Sequence, residues 1–221
     1  MSGASQSVKF ICSDQTIVVA KGTRNGQGLV AEYVVARLGQ LLEAPVGDIC
    51  FVDVPEALRA DSSVAAMGPG LAHATRFIEN LTDREALSYM DIVENRTRFA
   101  RLCVLYSLTG ASDHQLFYST RDPRVVYSLD HGHFFPSGPH WSAATLMGAG
   151  AATVDGYFGP VNLSREELAE ARLRLESVSE ADIHEILAGP PPEWPFPAGE
   201  RDALQRYLLG RRATLLGLLP Q

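Results

Sequence analysis

The stretch Ser128-Leu129-Asp130-His131-Gly132-His133-Phe134-Phe135 is the most informative in the chain. Residues 125–129 form a short apolar, β-prone run that ends at Asp130, and Gly132 gives the backbone freedom to turn. A second short run, residues 115–119, lies just upstream, and Thr120-Arg121-Asp122-Pro123 between the two is turn sequence, so the pair predicts a hairpin. Thr109-Gly110-Ala111-Ser112-Asp113-His114-Gln115 leads into that hairpin, so one Asp precedes it and another follows it. Before them, residues 95–108 place Phe99, Leu102, Cys103, Leu105 and Tyr106 on one side, the pattern of a buried helix stopped by Gly110.

Working outward, residues 8–12 and 16–20 are β-rich and separated by Ser13-Asp14-Gln15, which predicts a first hairpin. Residues 29–43 carry Val30, Val34, Leu38, Leu41 and Leu42 at helical spacing, Pro45 ends the helix, and residues 49–54 return to strand. Residues 55–80, rich in Ala, Gly, Pro and Ser around Met67-Gly68-Pro69-Gly70, read as a connecting loop. Beyond Gly138 the chain turns helical: residues 141–147, then 164–175 opened by the capping box Ser164-x-x-Glu167, then 179–187. After a proline-rich break at 189–197 comes a last helix at 200–216. A β-rich beginning and a helix-rich remainder predict an α+β fold of two lobes, residues 1–80 and 81–221.

The composition bounds the partners. The 221 residues are 46% hydrophobic, and 19 Lys and Arg stand against 26 Asp and Glu, a formal net charge of −7 with no clustered basic run. Direct nucleic-acid binding is not expected from such a chain, because neutralising phosphates needs a basic face. The longest apolar runs are broken by Glu32, Arg37 and Arg101, so no membrane span is expected. MSGASQSVKF has no apolar signal core, which predicts a cytoplasmic protein. Cys12, Cys50 and Cys103 are odd in number, widely spaced and in apolar surroundings, as buried thiols of a reducing compartment are.

Asp113 after a buried helix and Asp130 after a hairpin strand suit phosphoryl transfer, in which one carboxylate takes up or orients a hydroxyl proton and another holds magnesium against phosphate oxygens. Residue types alone leave a plainer alternative open, that Asp113 makes an Asx turn and Asp130 simply begins a loop. Lys21 closes an apolar strand and Glu32 follows eleven residues later on the first helix, an order that steadies nucleotide phosphates when the two pair. Each is equally at home as a solvated surface charge. His131 and His133 have the His-x-His spacing of a zinc chelate, but hydrogen bonding within the loop is the simpler expectation.

Taken together these segments resemble the HipA-like kinase family. Ser2-Gly3-Ala4-Ser5-Gln6 is similar to its phosphate-covering loop, Val18-Val19-Ala20-Lys21 to its lysine strand, and Leu29-Val30-Ala31-Glu32 to the start of its helix. Residues 128–135 are the most specific match, and the resemblance runs over about residues 2–145. It implies a two-lobed kinase-like fold, with a small β-rich N-terminal lobe and a helical C-terminal lobe. ATP and Mg2+ are the implied cofactors, the Ser or Thr hydroxyl of a protein substrate the implied acceptor, and a regulatory protein partner is an alternative. Carried over by residue, Asp113 and Lys21 are catalytic. Gly3, Ala4, Ser5, Lys21 and Glu32 hold the nucleotide and Asp130 holds the metal, with Gln115, or else His114, as the substitute for a second metal ligand. Two departures stand out. Tyr118 occupies the place, about five residues after the Asp, where related loops carry a metal-binding Asn. The Gly/Ser loop begins at Ser2 with no strand before it in this sequence, so a loosely covered nucleotide is expected. The first departure favours a second expectation, a kinase-like module that binds nucleotide or partner without turnover; small-molecule phosphorylation is a third.

Overall fold

The computed structural model describes residues 7–62, 64–84 and 86–221. Strands β1 (Ser7–Ile11) and β2 (Ile17–Lys21) form the expected hairpin, with Ser7 opposite Lys21. Helix α1 (Gln27–Leu41) follows, starting two residues earlier than its apolar pattern because Gly26, at φ +57°, lets the chain enter it sharply. Strand β3 (Ile49–Asp53) comes next, as read.

Residues 55–80 are not one connecting loop. They contain a short helix α2 (Glu56–Arg59) and strand β4 (Leu71–Arg76), which pairs antiparallel with β2 on one side and β3 on the other, giving the order β1-β2-β4-β3. The strand escapes sequence patterning because Leu-Ala-His-Ala-Thr-Arg sits inside the sheet, where small residues suffice on a face that another segment covers. Val18, Ala20, Ala72 and Ala74 make that outer face, and Val54, Val64 and Met67 close over it as a separate small core. The opposite face carries Val19, Lys21, His73 and Thr75.

A second antiparallel sheet contains β5 (Leu81–Arg84), β6 (Leu116–Ser119) and β7 (Val126–Ser128), in the order β5-β6-β7. β6 and β7 are the predicted second hairpin; β5 was not anticipated. Between β5 and β6 runs α3 (Val93–Thr109), whose buried face holds Phe99, Leu102, Cys103, Leu105 and Tyr106. It ends on Gly110 at φ +65°, the left-handed conformation that stops a helix without a Cβ clash.

The helical remainder is α4 (Ala143–Met147), α5 (Arg165–Ser177), α6 (Glu180–Ala188) and α7 (Ala198–Leu218). The Ser164–Glu167 capping box is present, and Ser179 with Asp182 forms another at α6. One large core joins α1, α3 and these helices. Trp141 lies within it, 1% exposed, with its indole N–H donating to the Gln27 carbonyl at 2.9 Å.

The proline-rich segment between α6 and α7 reaches back to the first sheet. Glu193 Oε1 accepts from the Leu71 N–H at 3.0 Å, and the Trp194 indole donates to the Leu71 carbonyl at 2.8 Å. Trp194 also meets Phe51 and Tyr33 edge-on, while those two rings stack on each other. The end of the chain is thereby strapped to β3, β4 and α1. Among the described residues, no helix is long and apolar enough to cross a membrane.

Candidate functional site

A buried carboxylate organises the site. Glu32, in the second turn of α1, is 3% exposed. Its Oε1 accepts from the Lys21 ammonium and, at 2.9 Å, from the Gly132 N–H, while Oε2 accepts from the His131 N–H at 2.8 Å. The approach is close at Gly132, where a Cβ would stand 3.1 Å from Glu32 Oε1 and push the carboxylate back by a few tenths of an ångström. Lys21 also donates to Asp130 Oδ1 at 2.6 Å. Three segments far apart in sequence therefore meet on one ammonium group: the end of β2, the start of α1 and the loop after β7.

The electrostatics follow from that contact. Burial pushes the Glu32 carboxyl up, but the charges of Lys21 and His131 and the hydrogen bonds it accepts outweigh burial and bring it from 4.5 to about 2. Burial likewise works against the Lys21 ammonium, and Glu32 and Asp130 overcome it, holding its pKa above the ordinary value. His131 is buried and its pKa is lowered, chiefly by desolvation. Its Nε2 shares a hydrogen bond with Ser128 Oγ at 3.1 Å, and Ser128 Oγ shares another with Tyr106 Oη at 2.8 Å, so the ring shapes the loop behind Asp130. His133 is half-buried and His140 exposed. Among the described residues no group of three or more His, Cys, Asp or Glu gathers as a metal cage.

Lys21, Glu32 and Asp130 form one end of a cavity of about 500 Å³. The rest of its wall combines apolar Val19, Phe77, Ile78, Leu81, Phe117 and Leu129 with polar Ser7, His73, Thr75, Arg76, Asn80 and Asp83. Residues 77–80 join the first sheet to the second along this wall. Phe77 N–H donates to Ile17 and the Asn80 carbonyl accepts from Thr120. Among the described residues, the backbone groups of Ile78 and Glu79 make no main-chain hydrogen bond. Such a cavity offers a ligand apolar side chains to pack on and, from Lys21, Glu32 and Asp130, a charged cluster.

Asp113 stands elsewhere. The antiparallel register of β6 and β7 puts the loops carrying Asp113 and Asp130 at the same end of the hairpin, and the Ser112 hydroxyl donates to the His133 carbonyl to tie them. Asp113 nevertheless lines a separate recess with Asp83, His114 and Gln115, and Asp83 borders both spaces. Gln115, expected beside Asp130 at a metal, instead donates its amide to Asp83 Oδ2 at 2.8 Å and is not in the wall of the Asp130 cavity. His114 pairs with Asp155 at 2.9 Å and stacks on Tyr157. Tyr118 is fully buried and its hydroxyl accepts from the Ser88 N–H at 3.1 Å. Gly3, Ala4 and Ser5 lie outside the described residues.

The sequence reading missed the contributions of His73, Thr75, Asp83 and residues 77–80, because it missed β4 and β5. The one available signal was His73 itself, a histidine between two alanines in an otherwise apolar run.

Comparison with solved structures defines the fold as kinase-like. The chain is similar to a proinflammatory kinase of Helicobacter pylori, CtkA, with a TM-score of 0.65 and 10% identity over 96% of this chain and 92% of that one. It is also similar to a golgi casein kinase, with a TM-score of 0.54 and 13% identity over 98% of this chain and 70% of that one. In sequence, residues 2–102 match the family model described as HipA-like kinase, so the resemblance carried by the lysine strand and the helix start holds over that stretch. No curated protein matches the sequence.

Proposed function

We propose that the chain is a phosphotransferase that uses ATP and magnesium to phosphorylate a Ser or Thr hydroxyl of a protein. The observation that carries this reading is the placement of Lys21, between Glu32 and Asp130 at the charged end of a cavity that also carries apolar side chains. The residues fit the ligands. The apolar side chains suit a base, Lys21 suits phosphate oxygens, and Asp130 suits a divalent cation that takes its remaining ligands from phosphate and water. Bound magnesium would offset phosphate charge as the transferred group moves.

The remaining work falls to the chain's own groups. Glu32 fixes the direction of the Lys21 ammonium and, through the His131 and Gly132 N–H groups, the start of the loop that carries Asp130. Asp113, in the recess that shares Asp83 with the cavity, would take the proton of an acceptor hydroxyl entering from that side as the hydroxyl oxygen bonds to phosphorus and the bond to the leaving nucleoside diphosphate breaks. Gly3-Ala4-Ser5 would offer N–H groups to the phosphates. With the Gln115 amide on Asp83, metal binding rests on Asp130.

A second reading has its own observation. Tyr118, at the position of the usual Asn, is committed to the core, which favours a module that binds nucleotide or a protein partner without turnover. Labelled ATP with magnesium separates the two. Transfer to the chain or to a partner, abolished by Asp113→Ala and by Asp130→Ala, supports the kinase; equal labelling by those variants rejects it. ATP with magnesium raising the melting temperature with no ADP formed supports the module.

A further inference from the structure

His73 is a buried polar residue that the fold does not use. It sits in the middle of β4, directly opposite Lys21 of β2, and is 2% exposed. Directly opposed residues of antiparallel strands point to the same face, so the imidazole and the ammonium share the inner wall of the cavity. Among the described residues, neither ring nitrogen of His73 has a hydrogen-bond partner. Burial, with Lys21 and His131 nearby, lowers its pKa to about 3, so the ring is neutral at ordinary pH and presents one donor and one acceptor. A leucine would fill this position without leaving either group unsatisfied.

We propose that His73 is a ligand-binding residue that donates a hydrogen bond to a phosphate oxygen of the bound nucleotide, beside Lys21. The proposal rests on the nucleotide reading above and adds to it a specific phosphate contact. The charges of Lys21, Glu32 and Asp130 sum to −1, so polyphosphate at this end gains from a donor that is not already spent on a carboxylate. A neutral N–H supplies one. Both nitrogens are closed to solvent, so the contact forms as phosphate draws Lys21 off Asp130, the more exposed of its two partners, with 34% of its side chain accessible against 4% for Glu32.

The test is calorimetric binding of ATP with magnesium, and separately of adenosine, to the full chain and to His73→Leu and His73→Gln, with melting temperatures of each protein alone. The loss of one hydrogen bond to a charged oxygen predicts about tenfold weaker ATP binding by His73→Leu, with adenosine within about twofold of the parent. The Leu variant should melt no lower than the parent, because it removes two orphaned polar groups. His73→Gln, which keeps a donor and an acceptor, should retain ATP affinity within about threefold and carries the test if the Leu variant fails to fold. Unchanged ATP affinity in His73→Leu, or equal losses for ATP and adenosine, overturns the phosphate contact while leaving nucleotide binding intact. Failure of the parent chain to bind either ligand overturns the nucleotide reading itself, and this contact with it.

Discussion

Replacing Glu32 by Gln removes one negative charge from the centre of the site and almost nothing of its shape. The carboxylate serves three donors, Lys21 and Gly132 on one oxygen and His131 on the other. Glutamine has a single acceptor oxygen, so one of the two oxygen positions is left with an NH2 group facing a donor. The fall of the Glu32 pKa from 4.5 to about 2 converts to about 3 kcal/mol of folding stability at neutral pH. Breaking a buried ion pair from one side costs about 3–5 kcal/mol, a range that agrees. The sign follows from the direction of the shift. A carboxyl whose pKa is depressed by folding contributes fully above its unfolded value, near 4.5, and loses that contribution as pH falls through its folded value, about 2. Urea unfolding followed by the fluorescence of Trp141 and Trp194 should place Glu32→Gln about 3–5 kcal/mol below the parent at pH 7. By pH 3 the part of that gap due to charge should have shrunk by about half. A gap below about 1 kcal/mol at pH 7, or one that does not change between pH 7 and pH 3, would show that Asp130 alone balances Lys21 and would refute the central role given to Glu32.

Two further changes test how the frame holds the site. Gly110→Ala puts a Cβ 2.4 Å from Tyr207 Oη in a left-handed conformation, so thermal melts should show a loss of about 1–3 kcal/mol. In a Tyr207→Phe background the severe clash is removed, only the milder 3.3 Å approach to Arg211 Cζ is left, and about 1 kcal/mol of backbone strain remains. Trp194→Ala removes a side chain only 4% exposed together with its bond to the Leu71 carbonyl, and should cost about 3–5 kcal/mol. Hydrogen exchange should then quicken in β3 and β4, and unchanged protection there would mean that the strap does not restrain the sheet.

What could be read from the sequence was whatever short-range chemistry encodes. The hairpin on either side of Ser13-Asp14-Gln15, the Ser164 capping box, the apolar side of α3 and the stop at Gly110 are local signals, and each element appears where they put it. Strand β4 was invisible because pairing on both edges, rather than β-branched side chains, makes it a strand; β5, Leu-Thr-Asp-Arg, is a strand only because β6 lies beside it. The same divide runs through the site. Lys21, Glu32 and Asp130 could be singled out only through the resemblance of the segments around them to a known family, and the structure brings the three side chains together. The engagement of Gln115 by Asp83 and the orphaned ring of His73 depend on those two unread strands, so no motif pointed to them.

The strap from Glu193 and Trp194 to Leu71 joins residues 122 and 123 positions apart, and the Lys21–Asp130 contact spans 109. A ribosome adds about 5–20 residues per second, so β4 waits roughly 6–25 seconds after its own synthesis for the side chains that tie it down. During that interval the first sheet is exposed along the face where Phe51 and Tyr33 await Trp194. Completion of the cleft therefore waits for residue 130 and its bracing for residues 193 and 194, and a nascent chain already carrying its lysine strand and first helix still lacks a finished binding site.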